Sequence, residues 1–212
     1  MAGEMVRGEM TETIEFIFDF GSPNVYLAYR ALPPILARTG ARLQINPCLL
    51  GGIFKATGNQ PPTAAFANVK GKLAYERLEI TRFIKKHRLR DLRFNPHFPV
   101  NSLLIMRGLI VAQMTDVAAP YIEAVLAATW ENGLKMDDPA VVVDTLGKAG
   151  LDGEALLKRT QEPDVKQKLL ANTQEAVERG VFGAPTFFVG QEIFFGKERL
   201  AQVEEELLRK AA

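Results

Sequence analysis

The feature that most constrains this chain is the placement of its strand-forming residues, which lie at the two ends and not between them. From about Thr63 to Arg179 the sequence shows helical periodicity in pieces and no convincing strand. Any sheet must then be assembled from the two ends, with the helices between them carried as an insertion. Thr13-Ile-Glu-Phe-Ile-Phe-Asp-Phe20 is β-branched and aromatic, with charge only at Glu15 and Asp19. It predicts a mostly buried strand of the kind found in the centre of a parallel sheet. Gly21-Ser22-Pro23 follows: glycine ends the strand, serine favours the N-cap, and proline suits the first helical position. The predicted helix runs through Val25, Tyr26, Leu27, Tyr29, Leu32 and Leu36, and Pro33 and Pro34 should kink or split it. Ala41-Arg-Leu-Gln-Ile-Asn46 alternates with period 2 and predicts a second strand, joined to the first by a right-handed crossover.

Cys48 to Pro62 is rich in Gly and Pro and reads as a loop with at most one helical turn, at Ile53 to Ala56. Helices are then expected over Thr63–His87, Ser102–Val117, Pro120–Asn132, Pro139–Lys148, Gly153–Thr160 and Pro163–Arg179, with Asp138-Pro139 and Glu162-Pro163 as cap-plus-proline starts. Pro185-Thr-Phe-Phe-Val189 and Glu192-Ile-Phe-Phe195, separated by Gly190-Gln191, read as a β-hairpin. Lys197 to Lys210 reads as a closing amphipathic helix, with Leu200, Val203, Leu207 and Leu208 on one stripe.

Composition excludes several classes of function. The chain has 212 residues, 47% hydrophobic and 24% charged, the balance of an ordinary globular protein. Lys plus Arg is 26 against 25 for Asp plus Glu, so a nucleic-acid partner held by net charge is not expected. The single cysteine, Cys48, allows neither an internal disulfide nor a cycling dithiol, and reads as a small buried residue. Two histidines, His87 and His97, leave little for a histidine-rich metal site, and none is expected; with Arg88 and Arg90 they read as a solvated helix end. No run approaches a membrane span. Met1 to Thr11 carries Glu4, Arg7 and Glu9 with no apolar run. This predicts a disordered lead-in over residues 1–12 rather than a signal peptide, and a cytoplasmic location.

On its own residues Ser22 reads as a plain N-cap, Pro185 as a trans proline opening a strand, and Asn59 as a turn residue. Glu198 reads as a first-turn acid favouring a helix dipole, Lys55 as a solvated lysine, and Asn101 as a helix cap. Phe54, Phe66 and Trp130 read as core aromatics or as walls of an aromatic pocket.

The element order, with Gly183-Ala184-Pro185-Thr186 opening the third strand, resembles the DsbA-like branch of the thioredoxin fold, an α/β fold with a large all-helical insertion. The implied division is a thioredoxin-like domain over 13–62 and 180–212 and an insertion over 63–179. Where redox members carry CxxC, this chain reads Ser22-Pro23-Asn24-Val25. Four motifs narrow the resemblance: Phe18-Asp19-Phe20-Gly21-Ser22-Pro23, Gly58-Asn59-Gln60-Pro61-Pro62, Gly180-Val-Phe-Gly-Ala-Pro-Thr186 and Phe195-Gly196-Lys197-Glu198-Arg199-Leu200. Together they resemble the 2-hydroxychromene-2-carboxylate isomerases and kappa-class glutathione transferases.

That resemblance implies glutathione as cofactor. Ser22 would be the catalytic residue, holding the glutathione sulfur as thiolate at a helix N-terminus. Pro185 would be cis, turning the backbone of Ala184 outward to pair with the tripeptide. Asn59, Phe195, Gly196, Lys197 and Glu198 would hold the remainder, with Glu198 receiving the γ-glutamyl ammonium and Lys197 contributing through its backbone. Phe54, Lys55 and Asn101 would face an aromatic substrate, Lys55 meeting its carboxylate. The implied reaction turns 2-hydroxychromene-2-carboxylate into trans-o-hydroxybenzylidenepyruvate, a step in naphthalene-type catabolism, by thiolate addition, rotation and elimination. A kappa-like transferase is the alternative, and a non-enzymatic binding protein a third. A homodimer is implied, with no nucleic acid or membrane as partner.

Overall fold

The structure is a computed structural model that describes residues 12–89 and 92–211. Of the expected lead-in only Glu12 falls among them, and Arg90 lies outside them.

β1 (Thr13–Phe18) runs parallel to β2 (Arg42–Pro47) and antiparallel to β3 (Thr186–Val189), which pairs in turn with β4 (Glu192–Phe195). The strand order is β2-β1-β3-β4, so the two ends of the chain share one sheet. That sheet is mixed, which corrects the parallel surroundings expected of the first strand. The C-terminal segment returns as a hairpin, and a hairpin presents its first strand antiparallel to β1. The strand also stops before Asp19, because the Asp19 carboxylate accepts the Gly21 N–H at 2.8 Å and turns the chain.

The prolines split the first helix. α1 (Pro23–Ala31) and α2 (Pro33–Thr39) meet at Leu32, whose N–H still reaches the Ala28 carbonyl at 3.1 Å. Pro33 and Pro34 have no N–H with which to continue the ladder.

The loop expected after Cys48 is instead largely helical: α3 (Leu50–Thr57) is followed by the short α4 (Pro62–Ala65). Two of the N–H groups that begin α3 find partners far away in sequence. Leu49 N–H donates to Thr173 Oγ1 at 3.0 Å and Leu50 N–H to Asp19 Oδ2 at 2.7 Å. Gly52 lets α3 approach its neighbour closely, since a Cβ there would lie 3.1 Å from Thr173 Cγ2. The single helix expected over Thr63–His87 is broken too. α5 (Lys72–His87) starts only after Gly71, whose φ of +83° no β-carbon tolerates well.

The remaining insertion is α6 (Leu103–Met114), α7 (Ala118–Trp130), α8 (Pro139–Lys148), α9 (Gly153–Arg159) and α10 (Pro163–Glu178). Their apolar residues join Phe16, Phe18 and Phe187 of the sheet in one continuous core. The buried Trp130 fastens the insertion to the end of β1, its indole N–H donating to the Phe20 carbonyl at 2.8 Å. A 3₁₀ turn (Lys197–Arg199) precedes α11 (Leu200–Ala211), so the closing helix starts later than its amphipathic pattern predicts. The β-α-β unit, the hairpin and α11 form a thioredoxin-like core carrying a large helical insertion.

Candidate functional site

Three of the four sequence motifs converge on the fourth, the Gly180–Thr186 loop. Ser22 is 5% exposed and caps α1, its Oγ accepting from the Val25 N–H at 3.3 Å. The same hydroxyl donates to the Ala184 carbonyl at 3.4 Å. The Ala184–Pro185 peptide bond is cis, as is Phe98–Pro99. Pro185 C=O accepts from the Gly196 N–H at 2.9 Å, which joins the loop to the end of β4. Asn59 Nδ2 donates to the Phe182 carbonyl at 2.8 Å, while its Oδ1 accepts from the Gln60 N–H.

Glycine is required at two points here. A Cβ on Gly183 would lie 2.8 Å from the Phe195 ring, and Gly196 sits at φ +99° with a Cβ position 3.0 Å from Glu198 Oε2. Phe195 and Phe182 stack with centroids 4.5 Å apart and remain 44% and 43% exposed, an open aromatic rim beside Ala184. Phe182 lies within the Gly180–Thr186 motif, yet only its fold placement reveals this rim.

Ser22 therefore caps a helix and faces the loop at once. Both its hydrogen bonds are long, so the hydroxyl can turn toward an incoming acceptor at little cost. The first turn of α1 holds no acidic residue, which leaves its positive end free to attract an anion. What the arrangement offers chemically is one hydroxyl, a helix N-terminus and a backbone turn that is partly exposed at Ala184.

The other sequence-predicted residues sit as follows. Phe54 is half-buried and Lys55 exposed on the last turns of α3. Asn101 is exposed, and its Oδ1 accepts from the Leu103 N–H at 3.2 Å, as a cap does. Among the described residues no hydrogen bond or ring contact joins these three to Ser22. Lys197 is not the exposed residue its charge suggests. Its side chain is 2% exposed, with Nζ bonded to the Glu198 carboxylate and 5.4 Å from the Phe83 ring centroid. Glu198 itself is exposed, and the pair borders a groove of about 490 Å³ between α2, α5 and α11.

Trp130 is fully buried and Phe66 lies on the surface under Lys72, so these two and Phe54 do not wall one pocket. Cys48 is buried, its thiol donating to the Asn172 carbonyl, and burial pushes its pKa up to about 12, far from a nucleophile's. His87 departs from the solvated end expected of it. It is half-buried on Phe83, ring centroids 4.2 Å apart, and burial holds its pKa below the usual imidazole value. Among the described residues no three His, Cys, Asp or Glu side chains gather as a metal site requires. No described helix is long and apolar enough to cross a membrane.

Residues 13–208 match the model of the DSBA-like thioredoxin domain. The chain is 31% identical over 199 residues to the 2-hydroxychromene-2-carboxylate isomerase of Sphingobium xenophagum, covering 94% of this chain and 100% of that relative. The chain belongs to the DsbA-like family of 2-hydroxychromene-2-carboxylate isomerases and kappa-class glutathione transferases. Glutathione S-transferase kappa 1 of Homo sapiens is 28% identical, over 91% of this chain and 89% of that one. A solved structure of 2-hydroxychromene-2-carboxylate isomerase superposes with TM-score 0.80 at 28% identity, over 93% of this chain and 95% of that one. A probable DsbA oxidoreductase from Streptomyces coelicolor shares the fold at TM-score 0.69 and 16% identity, over 94% of this chain and 89% of that one. Within this family, the chain carries Ser22-Pro23-Asn24-Val25 at the start of α1 and no cysteine there.

Proposed function

We propose that this protein is a glutathione-dependent cis–trans isomerase, converting 2-hydroxychromene-2-carboxylate to trans-o-hydroxybenzylidenepyruvate in aromatic catabolism. One observation carries the reading: the Ser22 hydroxyl, at the N-terminus of α1, meets the Ala184 carbonyl beside a cis proline. The residues present fit the tripeptide. Ser22 would supply a hydroxyl donor for sulfur and Ala184 a backbone for the cysteinyl unit; Asn59 and Gly196 bond to the same loop, Phe195 packs against it, and Lys197 and Glu198 follow directly after Gly196. When bound, glutathione supplies a thiolate that adds reversibly to a conjugated carbon.

The task of Ser22 is to keep that sulfur ionised. A thiol starts near pKa ~8.5, and one unit corresponds to about 1.36 kcal/mol. A hydrogen bond to a charged group contributes roughly 1.5–3 kcal/mol. An exposed helix N-terminus adds roughly 0.3–1 kcal/mol. Together they lower the thiol pKa by about one to three units, enough for thiolate to dominate near neutrality. Serine cannot form a disulfide with the sulfur it stabilises, so the site activates a thiol without trapping it. On the substrate side, Lys55 would meet the pyruvyl carboxylate, and Phe54 and Asn101 would face the same substrate.

Relatives named as kappa glutathione transferases favour a second reading, in which the same thiolate ends in a conjugate. Product analysis separates the two. A geometric isomer with glutathione unconsumed supports isomerisation, and a stable conjugate supports transfer. Ser22→Ala should slow turnover roughly ten- to hundredfold while glutathione still binds; unchanged turnover at neutral pH removes Ser22 from the mechanism. We also propose a cytoplasmic homodimer. Its support is the apolar surface on and before α5, where Val69 is 53%, Tyr75 51% and Leu78 45% exposed.

A further inference from the structure

Asp19 follows β1 directly, three residues before Ser22, and among the described residues no other carboxylate is buried. It is 1% exposed, where an unpartnered carboxylate would be very costly. Its partners are all donors. Oδ1 accepts the Gly21 N–H at 2.8 Å and Oδ2 accepts the Leu50 N–H at 2.7 Å, and the Ser102 hydroxyl lies beside the same carboxylate and favours its charged form. These donors come from three separate segments: the turn after β1, the first residue of α3, and the residue before α6. Ser102 stands at the head of α6 and makes no side-chain capping bond there.

The packing around the turn is equally close. A Cβ on Gly21 would lie 3.3 Å from Asp19 Oδ1 and 3.4 Å from both Ser102 Oγ and the Val100 carbonyl. Each of the three segments bears a residue of the proposed site. Gly21 precedes Ser22, Leu50 begins the helix bearing Phe54 and Lys55, and Ser102 follows Asn101.

We infer that Asp19 is a positioning residue: one buried carboxylate fixes the turn bearing Ser22, the helix bearing Phe54 and Lys55, and the segment bearing Asn101 in a single arrangement. The effect on turnover rests on the function proposed above, whereas the effect on the three segments does not. A carboxylate suits this task better than an amide because all three of its partners are donors, and an amide would point its own N–H groups at one of them.

Asp19→Asn and Ser102→Ala test this, each beside the wild type. Amide hydrogen exchange reads the segments directly. Asp19→Asn should speed exchange in both 19–22 and 49–57; Ser102→Ala, which keeps the charge, should do so in 100–106 and 49–57. Thiolate absorbance and kinetics read the site. Asp19→Asn should raise the pKa of the bound glutathione thiol and slow turnover roughly ten- to hundredfold. Ser102→Ala should leave that pKa in place and raise KM for the aromatic substrate several-fold, with kcat near wild type.

Exchange that changes only next to the substituted residue overturns the inference. So does a lowered thiol pKa in Asp19→Asn with turnover kept, which would make the residue a source of charge and nothing more. Should Asp19→Asn not fold, the Ser102→Ala exchange pattern decides. Should the wild type bind no glutathione, the proposed function fails and hydrogen exchange still decides the role of Asp19.

Discussion

Ser22 illustrates how much a single side chain can be asked to do. It satisfies an N–H of α1 and touches the loop opposite, yet its two bonds are long enough to exchange for a stronger one. At the same scale, His87 gives the molecule an acid-sensitive point. Burial, and after it the Lys86 charge, hold its folded pKa below the ordinary imidazole value. The unfolded chain therefore binds this proton at higher pH than the folded one. The contribution to stability is present above about pH 6.5 and is lost as pH falls through the folded pKa. His87→Phe keeps a ring on Phe83 and removes the titration. It should lose less stability than wild type between about pH 7.5 and about pH 5, read from urea midpoints at each pH. Equal losses in the two proteins contradict this assignment. Asp19 was legible only as an oddity, a lone acid between phenylalanines in a strand expected to be buried. That pattern is the signal by which it could have been found.

Among the elements, those whose start signals are local could be read from the sequence. Asp138 caps α8 with its own carboxylate at 3.0 Å from the Ala140 N–H, immediately before Pro139. The hairpin follows from two β-rich runs around Gly190-Gln191, and its pairing with β1 places Phe187 opposite Phe16. α3 could not be read this way. Its N-terminal donors are satisfied by Asp19 and Thr173, 31 and 124 residues distant, and its two glycines argue against a helix locally. Gly52 is there for approach rather than flexibility, which gives a paired test. Gly52→Ala should cost about 1–3 kcal/mol by forcing its methyl against Thr173 Cγ2. Thr173→Ser keeps the hydroxyl that Leu49 needs and removes that methyl, so the double variant should recover most of the loss. Chemical denaturation of the four proteins measures the coupling, and simple additivity would refute the close contact. The site motifs were legible as motifs. What the sequence withheld was the inward turn of Lys197, because only the fold brings Phe83 over it.

For the whole molecule, the decisive arrangement is that both ends build one sheet while the insertion packs on it through a shared core. That arrangement leaves Val69, Tyr75 and Leu78 unburied by the chain itself, a concentration of apolar surface well suited to a second copy. Sedimentation equilibrium should return twice the chain mass for the wild type and the chain mass for Val69→Glu combined with Leu78→Glu. A monomeric wild type contradicts the homodimer. The site itself is drawn from distant parts of the molecule: a turn after β1, a loop after α3, and the two sides of the C-terminal hairpin. In the proposed function, their meeting turns a helix cap into a place where sulfur is held as an anion. The most direct measurement is the ultraviolet thiolate absorbance of glutathione bound to the wild-type protein, titrated across pH. The bound thiol should titrate between about pH 5.5 and about pH 7.5, about one to three units under the free thiol, so that thiolate predominates at higher pH. A bound thiol that still titrates near its free value of ~8.5 would contradict the account.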